Sequence, residues 1–194
     1  MKFSLELEYQ TPKDWAEVVV SDFDAFLQDH ADCERKASAM AMSFVAKCPD
    51  KVEIIIQLID TALEELEHFK MVYEIMQKRG VQLRQEIVQD KYVNDLIALC
   101  RTRPEERLLD RMLLASIIEC RGAERFRLVE EALEDVELKR FYKMLWASEA
   151  KHSNIFVEMA LTYWPEDEVY KRLKKLNCQE ASICRKLPLK PALH

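Results

Sequence analysis

Glycine is almost absent from this sequence, with only two among 194 residues. Rossmann domains need glycine-rich turns, and all-β folds need many tight turns, so this scarcity disfavours both classes. Long stretches rich in leucine, alanine, glutamate, lysine and methionine instead favour a few long helices. A chain of this length is most simply one domain with a sizeable core, and we assign residues 1–194 to it.

The sequence also lacks any CxxC pair, although it contains six cysteines. We therefore expect reduced thiols rather than a disulfide framework. No apolar run reaches the length of a membrane span, and the first ten residues are too charged to supply a signal peptide. These absences predict a soluble, cytoplasmic protein with no membrane partner. The net charge of −6 argues against nucleic-acid binding by the whole surface but permits a local basic face.

Two long helices are predicted in the first half of the chain. Apolar residues at helical spacing predict one from about Ser21 to Lys47, where Cys48-Pro49 ends it. A capping box at Asp50 starts the next, which runs to Arg79 and closes at Gly80. A shorter helix is expected from Thr11-Pro12 through Val20.

Two further long helices are predicted in the second half, after a crossover of 23 residues from Val81 to Arg103 that contains a short amphipathic piece around Tyr92 to Cys100. One begins at Thr102-Arg103-Pro104 and reaches about Leu133, and the other follows Glu134-Asp135 and ends at Trp164-Pro165. One or two short helices are expected between Glu166 and Cys184, with Lys186 to His194 as a tail that wraps the surface.

Two copies of a Glu-x-x-His motif are the main signal of chemistry in the chain. Glu65 and His68 form the first copy, and Glu149 and His152 form the second. Residues three apart lie on one face of a helix, so each copy presents a carboxylate and an imidazole to the same point. Two such helices are able to hold two metal ions between them.

A further glutamate precedes each copy at a matched distance, 31 positions before the first and 30 before the second. In ferritin-like di-iron carboxylate bundles, two helices each supply a glutamate and the other two each supply a Glu-x-x-His motif. This sequence has the same arrangement, with a glutamate helix before each Glu-x-x-His helix. The sequence therefore predicts an all-α, ferritin-like four-helix bundle with a long crossover and additional short helices. The six candidate metal ligands are Glu34, Glu65, His68, Glu119, Glu149 and His152.

The apolar surroundings of these residues favour metal binding over surface charge. Glu65 shares a helical stripe with Leu58 and Val72, and Glu149 shares one with Phe156. Carboxylates that face an apolar core are costly unless paired or bound to metal, and two divalent ions are the simplest counterweight. Carboxylate and imidazole ligands suit iron or manganese. A single Glu-x-x-His is usually solvated charge, whereas two matched copies are much less expected by accident.

Three neighbouring residues have open assignments. Glu124 competes with Glu119, and because five positions on a helix differ by about 140°, only one of them faces the centre; the matched spacing favours Glu119. His30, one turn before Glu34, either orients that ligand or is a satisfied interfacial histidine, which we favour. Asp110 either accepts a proton from a ligating imidazole or is an ordinary exposed aspartate.

Five segments around the candidate ligands are more specific than the ligands themselves. They are Asp29-His30-Ala31-Asp32-Cys33-Glu34-Arg35-Lys36-Ala37, Glu64-Glu65-Leu66-Glu67-His68-Phe69, Ile118-Glu119-Cys120-Arg121-Gly122-Ala123-Glu124-Arg125-Phe126, Phe141-Tyr142 and Ser148-Glu149-Ala150-Lys151-His152. With these segments, the sequence between about Trp15 and Pro165 resembles the MiaE-like tRNA 2-methylthio-N6-isopentenyladenosine hydroxylase family. Lys151 and Gly122 differ from what this resemblance leads us to expect, and both lie outside the ligand set.

The resemblance implies a non-haem di-iron monooxygenase with two iron ions, bound by the six residues named above, and O2 as co-substrate. It implies hydroxylation of the isopentenyl side chain of the hypermodified adenosine at position 37 of tRNA, with two electrons consumed. The chain contains no flavin or nicotinamide fingerprint, so a partner such as a reductase or a ferredoxin-like protein must supply the electrons. We expect the protein to act as a monomer.

Basic residues are the candidates for contact with tRNA. Phosphate contacts would supply affinity while an apolar pocket reads the modified base. A single basic residue is more often the salt-bridge partner of a glutamate, and Arg121 and Arg125 could instead belong to a buried charge network. The densest basic group, and the one that we predict to bind RNA, is Lys171, Arg172, Lys174 and Lys175.

Two alternative functions fit the same bundle. A ferritin-like ferroxidase or a rubrerythrin-like peroxidase would use the same ligands, but nothing in the sequence suggests a self-assembling shell or a cysteine-rich rubredoxin-like segment. A structural or adaptor bundle without metal is disfavoured because all six ligands are present.

Overall fold

The computed structural model describes residues 5–86 and 89–194, which form seven helices and no strand. None of the helices in these two ranges is both long enough and apolar enough to cross a lipid bilayer. The helices are α1 (Asp14–Ser21), α2 (Phe23–Lys47), α3 (Val52–Arg79), α4 (Lys91–Ile97), α5 (Pro104–Ala132), α6 (Val136–Leu161) and α7 (Glu166–Cys184).

The described residues form two compact units, each built around a pair of long helices. The first, which we call the α2–α3 unit, comprises residues 18–86 and 190–193. The second, the α5–α7 unit, comprises residues 5–17, 89–189 and 194. The assignment of residues 1–194 to a single domain stays a prediction.

In the α2–α3 unit, α2 packs along α3. The Asp22 side chain caps α2 by accepting a hydrogen bond from the Ala25 N–H, and the helix ends at Lys47, before Cys48-Pro49, as predicted. Burial of apolar side chains on both helices gives the unit its core. The core residues of this pair are Phe23, Phe26, Leu27, Ala31, Ala41, Phe44, Ile54, Leu58, Ala62, Val72 and Met76.

The sequence predicts the C-terminal end of α3 correctly and its N-terminal cap incorrectly. Gly80 closes the helix as predicted, with φ at 71°, in the left-handed region that glycine tolerates best. The predicted capping box is wrong, because Lys51 is the N-cap residue and no side chain caps the helix. Asp50 lies one position too early, and its carboxylate is 3.7 Å from Lys51 Nζ instead.

In the α5–α7 unit, α5 packs along α6, and α7 contacts α4, α5 and α6. Pro104 is the first residue of α5, as predicted, since proline lacks the N–H that would have no intrahelical partner there. Asp135 caps α6 by accepting hydrogen bonds from the N–H groups of Glu137 and Leu138. Of the one or two short helices predicted between Glu166 and Cys184, the structure has one, a continuous helix of 19 residues.

Helix α1 begins at Asp14, so the prediction that Thr11 caps it is wrong. The backbone N–H of Thr11 donates to Glu124 Oε1 at 2.6 Å, and its hydroxyl donates to Glu124 Oε2 at 2.7 Å. Thr11 therefore anchors the N-terminal segment to α5 within the α5–α7 unit. A local capping pattern could not reveal this partner, which lies 113 positions away.

Helix α4 lies within the predicted crossover, and Asp90 caps it by accepting hydrogen bonds from the N–H groups of Tyr92 and Val93. Residues 87 and 88 of that crossover lie outside the described residues.

The predicted surface tail ends in packed residues. Leu193 is buried and donates its N–H to Asp29 Oδ2 at 2.8 Å within the α2–α3 unit.

Candidate metal centre

The α2–α3 unit brings three of the six predicted ligands together. Glu34 on α2 and Glu65 and His68 on α3 are all buried, and each offers a ligand atom within 4.8 Å of the others. His68 Nδ1 lies 3.5 Å from Glu65 Oε2 and 3.7 Å from Glu34 Oε2. We call these residues the first triad.

The α5–α7 unit brings the other three together in the same way. Glu119 on α5 and Glu149 and His152 on α6 are buried, with ligand atoms within 4.8 Å of one another. His152 Nδ1 lies 3.4 Å from Glu149 Oε2. These residues form the second triad, and their likeness to the first triad matches the repeat seen in the sequence.

The positions of the triad residues along their helices determine which face each side chain lies on. Glu65 and His68 are three positions apart and therefore lie on one face of α3, with buried Leu58 and Val72 on the same side. On α6, Glu149 and His152 share a face with buried Leu145, Phe156 and Met159 as the stripe predicts. The polar groups are thus held among apolar side chains that exclude water.

The donor set and its spacing fit a metal ion. The nitrogen-to-oxygen distances of 3.4 to 3.7 Å within the two triads exceed those of ordinary N–H···O hydrogen bonds, which centre on about 2.9 Å. Two ligand atoms that each lie about 2.1 Å from one ion would be about 3 to 3.5 Å apart. Oxygen and imidazole donors without thiolate suit iron or manganese. Each triad is therefore compatible with one ion.

His30 contacts a candidate ligand directly, which was the less favoured of its two interpretations. Its Nε2 lies 2.6 Å from Glu34 Oε1, and both side chains are buried in the α2–α3 unit. Glu34 Oε2 is the oxygen that faces His68. His30 therefore holds one carboxylate oxygen of Glu34 and leaves the other directed at the first triad.

Glu124 is engaged away from the second triad. Besides Thr11, its carboxylate accepts a hydrogen bond from Arg121 Nη1 at 2.6 Å. Glu119, five positions earlier, lies with Glu149 and His152. The helix phase of α5 therefore agrees with the choice of Glu119 as the candidate ligand, although metal binding itself stays a prediction.

Neither interpretation of Asp110 was right. The residue is buried, and its carboxylate accepts hydrogen bonds from Arg172 Nε at 2.7 Å and from Arg101 Nη2 at 2.8 Å. Burial alone would raise the pKa of Asp110, but these hydrogen bonds outweigh it and hold the pKa below its usual value. Arg172 is thus bound to a structural partner within the α5–α7 unit, unlike the other three members of the predicted RNA-binding group.

A buried network joins residues of α4, α5 and α7. The sequence allowed for Arg121 in such a network but did not single out Tyr92 or Glu180. Arg121 Nε donates to Glu180 Oε1 at 2.8 Å, and Tyr92 Oη donates to the same oxygen at 3.0 Å. Burial alone would lower the pKa of Arg121, but the bonds and charge of Glu180 raise it. Burial raises the pKa of Tyr92 well above its usual value, and Glu180 adds to the effect. No local pattern marks this role of Glu180, since Arg121 and Tyr92 lie on other helices.

Arg125 belongs to the same region and is buried as well. Its guanidinium lies over the Trp15 ring, with Cζ 5.2 Å from the ring centroid. Burial lowers the pKa of Arg125. The alternative that placed Arg121 and Arg125 in a buried charge network is therefore the correct one.

The six cysteines are free thiols. All six are described by the structure, and none of them is joined in a disulfide. Burial raises the pKa of Cys120 to about 11, and burial together with Glu180 raises that of Cys184 to about 12. Thiols with such values stay protonated at neutral pH and are poor nucleophiles and poor ligands.

Lys171, Lys174 and Lys175 are exposed on α7. Beyond its first turn, α7 has one acidic residue, Glu180, and that residue is buried. The outer face of this helix is therefore basic in a chain whose net charge is −6. The remaining exposed basic residues on this face and just beyond it are Arg185 and Lys186.

The fold has a close structural relative. A solved structure described as "Protein 43 with aldehyde deformylating oxygenase activity from Synechococcus" matches with a TM-score of 0.91 and 30% identity, over 97% of this chain and 94% of that one. The likeness confirms the predicted fold class, an all-α, ferritin-like four-helix bundle. The two buried carboxylate–histidine triads in a chain of this fold are compatible with the metal sites of ferritin-like di-iron carboxylate proteins.

Sequence comparison identifies the family within that class. The sequence model of the family described as tRNA-(MS[2]IO[6]A)-hydroxylase (MiaE) matches residues 2–194. The chain belongs to this family, and it is a tRNA hydroxylase of the ferritin-like type. The resemblance seen in the sequence is thereby confirmed.

Two curated relatives carry the same name, tRNA 2-(methylsulfanyl)-N(6)-isopentenyladenosine(37) hydroxylase. The protein from Pseudomonas putida is 32% identical over 173 residues, which cover 89% of this chain and 83% of that protein. The protein from Salmonella typhimurium is 33% identical over 115 residues, which cover 57% of this chain and 42% of that protein.

Proposed function

We propose that this protein hydroxylates the isopentenyl side chain of 2-methylthio-N6-isopentenyladenosine at position 37 of tRNA. The observation that carries the proposal is the pair of buried Glu, Glu, His triads in a chain of the tRNA hydroxylase family. The balanced reaction is R–H + O2 + 2 e⁻ + 2 H⁺ → R–OH + H2O, where R–H is the isopentenyl group. One oxygen atom enters the nucleoside, and the other leaves as water.

Two iron ions are the proposed cofactor, with the residues of the first and second triads as their ligands. Iron supplies the reduction of O2 and the attack on an unactivated C–H bond, which acids, bases and side-chain nucleophiles cannot perform. The six residues hold the ions, and His30 holds the second oxygen of Glu34. The apolar residues that flank the triads, such as Leu58 and Phe156, keep water away from the reacting groups.

The outer face of α7 is the proposed contact for the tRNA backbone. Lys171, Lys174 and Lys175 are exposed and have no exposed acidic neighbour on the helix beyond its first turn. Lysine contacts to phosphates supply affinity without sequence preference, so the modified base must be recognised at the metal centre. Arg172 is left out of this surface because it bonds Asp110 and the Leu99 carbonyl.

Electrons are proposed to come from a separate reductase or ferredoxin-like protein, because the sequence has no flavin or nicotinamide fingerprint. A cytoplasmic location, where tRNA is modified, and a monomeric state complete the proposal. The same ligands would also bind manganese, so the choice of iron is itself part of the proposal.

A single-turnover reaction tests the substrate. Iron-loaded protein is reduced with dithionite, the excess reductant is removed, and O2 is added together with isopentenylated tRNA. The digested nucleosides are then analysed by mass. The proposal predicts a nucleoside heavier by one oxygen, with 18O-labelled O2 as its source. Unchanged nucleosides with O2 consumed would contradict it.

A fatty aldehyde is the informative competing substrate. The solved structure with a TM-score of 0.91 is described as having aldehyde deformylating oxygenase activity, and its identity of 30% is close to that of the Pseudomonas relative. The basic face of α7 favours an RNA substrate over an uncharged aldehyde. In the same single-turnover reaction, we expect no alkane or formate from a long-chain aldehyde. Aldehyde conversion in place of tRNA hydroxylation would favour that second activity.

A further inference from the structure

An apolar stripe runs along the outer face of α3. Val52, Ile56, Leu63 and Leu66 are 67%, 66%, 59% and 50% exposed, and half-buried Ile59 lies between them. Their spacing alternates between four and three residues, so they form one stripe about 21 Å long and about 80° wide. A continuous apolar surface of this kind marks an interaction site more often than scattered single residues do.

The stripe is not part of the core or the metal centre. The ligand residues Glu65 and His68 lie among the buried residues of α3, on the side with Leu58 and Val72. Leu66 follows Glu65 in sequence, but a step of about 100° per residue turns it to the outer side. The helix that holds half of the first triad therefore presents its opposite face to the surroundings.

A row of acids borders the stripe on one flank. Glu53, Asp60 and Glu67 are exposed and lie seven positions apart, so they line up beside the apolar residues. Glu67 Oε1 is 3.1 Å from Lys70 Nζ, which balances one of the three charges. The flank as a whole is acidic.

This charge pattern restricts what covers the stripe. Phosphates of RNA and anionic lipid headgroups are repelled by the acidic row. An antiparallel second copy, related by a two-fold axis perpendicular to the stripe, would place the acidic row against that of its partner. A parallel second copy would place the row against the opposite flank, where Ile55, Ala62 and Phe69 offer no basic partner. A protein whose own apolar patch is bordered by lysine or arginine has the complementary charge.

We propose that this stripe docks the electron-donating protein through a basic-rimmed apolar surface of that donor, an inference that rests on the proposed function. The reaction consumes two electrons that the chain does not hold. Docking on α3 would bring the donor to the helix that carries Glu65 and His68, about one helix diameter from the first triad. The donor would supply the two electrons consumed in each turnover and would itself be oxidised by two electrons.

The test separates reduction through a protein donor from chemical reduction. The ferric, iron-loaded protein is reduced anaerobically, either by dithionite or by NADPH with a desalted soluble extract of Pseudomonas putida, and reduction is followed by absorbance. The variant is Ile56→Gln with Leu63→Gln, which removes apolar surface at exposed positions and keeps residues that favour helix. The matched control is Val136→Gln with Met144→Gln, two exposed apolar residues on α6.

We expect the stripe variant to be reduced at least about tenfold more slowly by the extract, as loss of central apolar contacts does at interfaces, and at the normal rate by dithionite. The control variant should match the wild type with both reductants. A second variant, Glu53→Lys with Asp60→Lys, should weaken donor-driven reduction and remove its decrease with added salt.

Four results would overturn the inference. The first two are an unchanged rate of reduction by the extract in the stripe variant and failure of the extract to reduce the wild type. The other two are a wild-type dimer that the stripe variant abolishes and loss of tRNA binding by the stripe variant. Because reduction is measured without tRNA, the inference and the proposed function can fail separately. Stripe-dependent reduction in a protein that leaves tRNA unchanged would preserve the docking site and reject the substrate.

Discussion

At the scale of single residues, the same side-chain type has different roles according to its phase on a helix. Glu119 and Glu124 both lie on α5, but Glu119 lies with Glu149 and His152, whereas Glu124 bonds Thr11 and Arg121. The difference of about 140° between the two positions explains why only one of them belongs to the second triad.

Alanine substitutions should separate these roles. Glu119→Ala removes a proposed ligand, so it should abolish turnover and lower the iron content from two ions per chain. Glu124→Ala should leave the iron content near normal but reduce the free energy of unfolding by about 1 to 3 kcal/mol, since buried donors on Thr11 and Arg121 lose their acceptor. Iron analysis and urea unfolding measure the two effects. Reversed effects on iron content would show that Glu124 is the ligand.

Asp110 gives a prediction about pH. Its folded-state pKa lies below its unfolded value of about 3.9, so the ion pairs with Arg101 and Arg172 stabilise the fold above that pH. This contribution is lost as the pH falls through the folded-state pKa. Asp110→Asn should therefore cost about 3 kcal/mol or more at pH 7. The difference from the wild type should shrink below about pH 4 in urea unfolding, and a difference independent of pH would contradict the assignment.

At the scale of helices, the sequence predicts the central part of each helix better than the residue at which the helix begins. Proline and glycine act through their own backbone geometry, so Pro104 at the start of α5 and Gly80 at the end of α3 were predicted. Thr11 was misassigned because its side chain and N–H bond Glu124, 113 positions away. Asp110 was misjudged for the same reason, since Arg172 lies 62 positions further along the chain. Such distant partners leave no local pattern.

In the candidate site too, local patterns could be predicted and contacts between distant segments could not. Spacing alone grouped Glu65 with His68 and Glu149 with His152, because three positions on a helix fix a shared face. The network around Glu180 could not be predicted, since its members come from α4, α5 and α7. Which helices pack together depends on the fold rather than on any single segment.

The two glycines should respond to alanine in opposite ways. Gly80→Ala should destabilise the protein by about 1 kcal/mol, because a φ of 71° is strained for alanine even though no atom lies within 4 Å of the added Cβ. Gly122→Ala should stabilise it by up to about 1 kcal/mol, since the residue is inside α5 and the new Cβ would lie 3.9 Å from Glu149 Cγ, an ordinary contact. Denaturant midpoints measure both. Loss of iron in Gly122→Ala would show that the Glu149 position is tighter than described.

At the scale of the whole molecule, the proposed substrate and the proposed electron donor use surfaces of opposite charge. The outer face of α7 is basic and suits phosphates, while the stripe on α3 is apolar with an acidic border and repels them. A protein with a net charge of −6 can therefore bind tRNA through one local face.

Charge reversal on α7 tests the RNA surface. Lys171→Glu with Lys174→Glu should weaken tRNA binding at 100 mM salt by tenfold or more and flatten the dependence of log K on log salt by about 0.7 to 0.9 for each lost phosphate contact. Arg140→Glu with Lys143→Glu makes the same charge change at exposed positions on α6 and should have a smaller effect. Fluorescence anisotropy with labelled tRNA gives both slopes. Equal losses in the two variants would indicate a general charge effect.

The most direct test of the central claim is the number of iron ions bound per chain. Anaerobic titration of the metal-free protein with ferrous iron should saturate at two ions. His68→Ala and His152→Ala should each reduce that number, because each removes the imidazole of one triad. Saturation at two ions in the wild type and at fewer in both variants would support two iron ions bound by the residues of the two triads. Two ions retained in both variants, or none in the wild type, would contradict it.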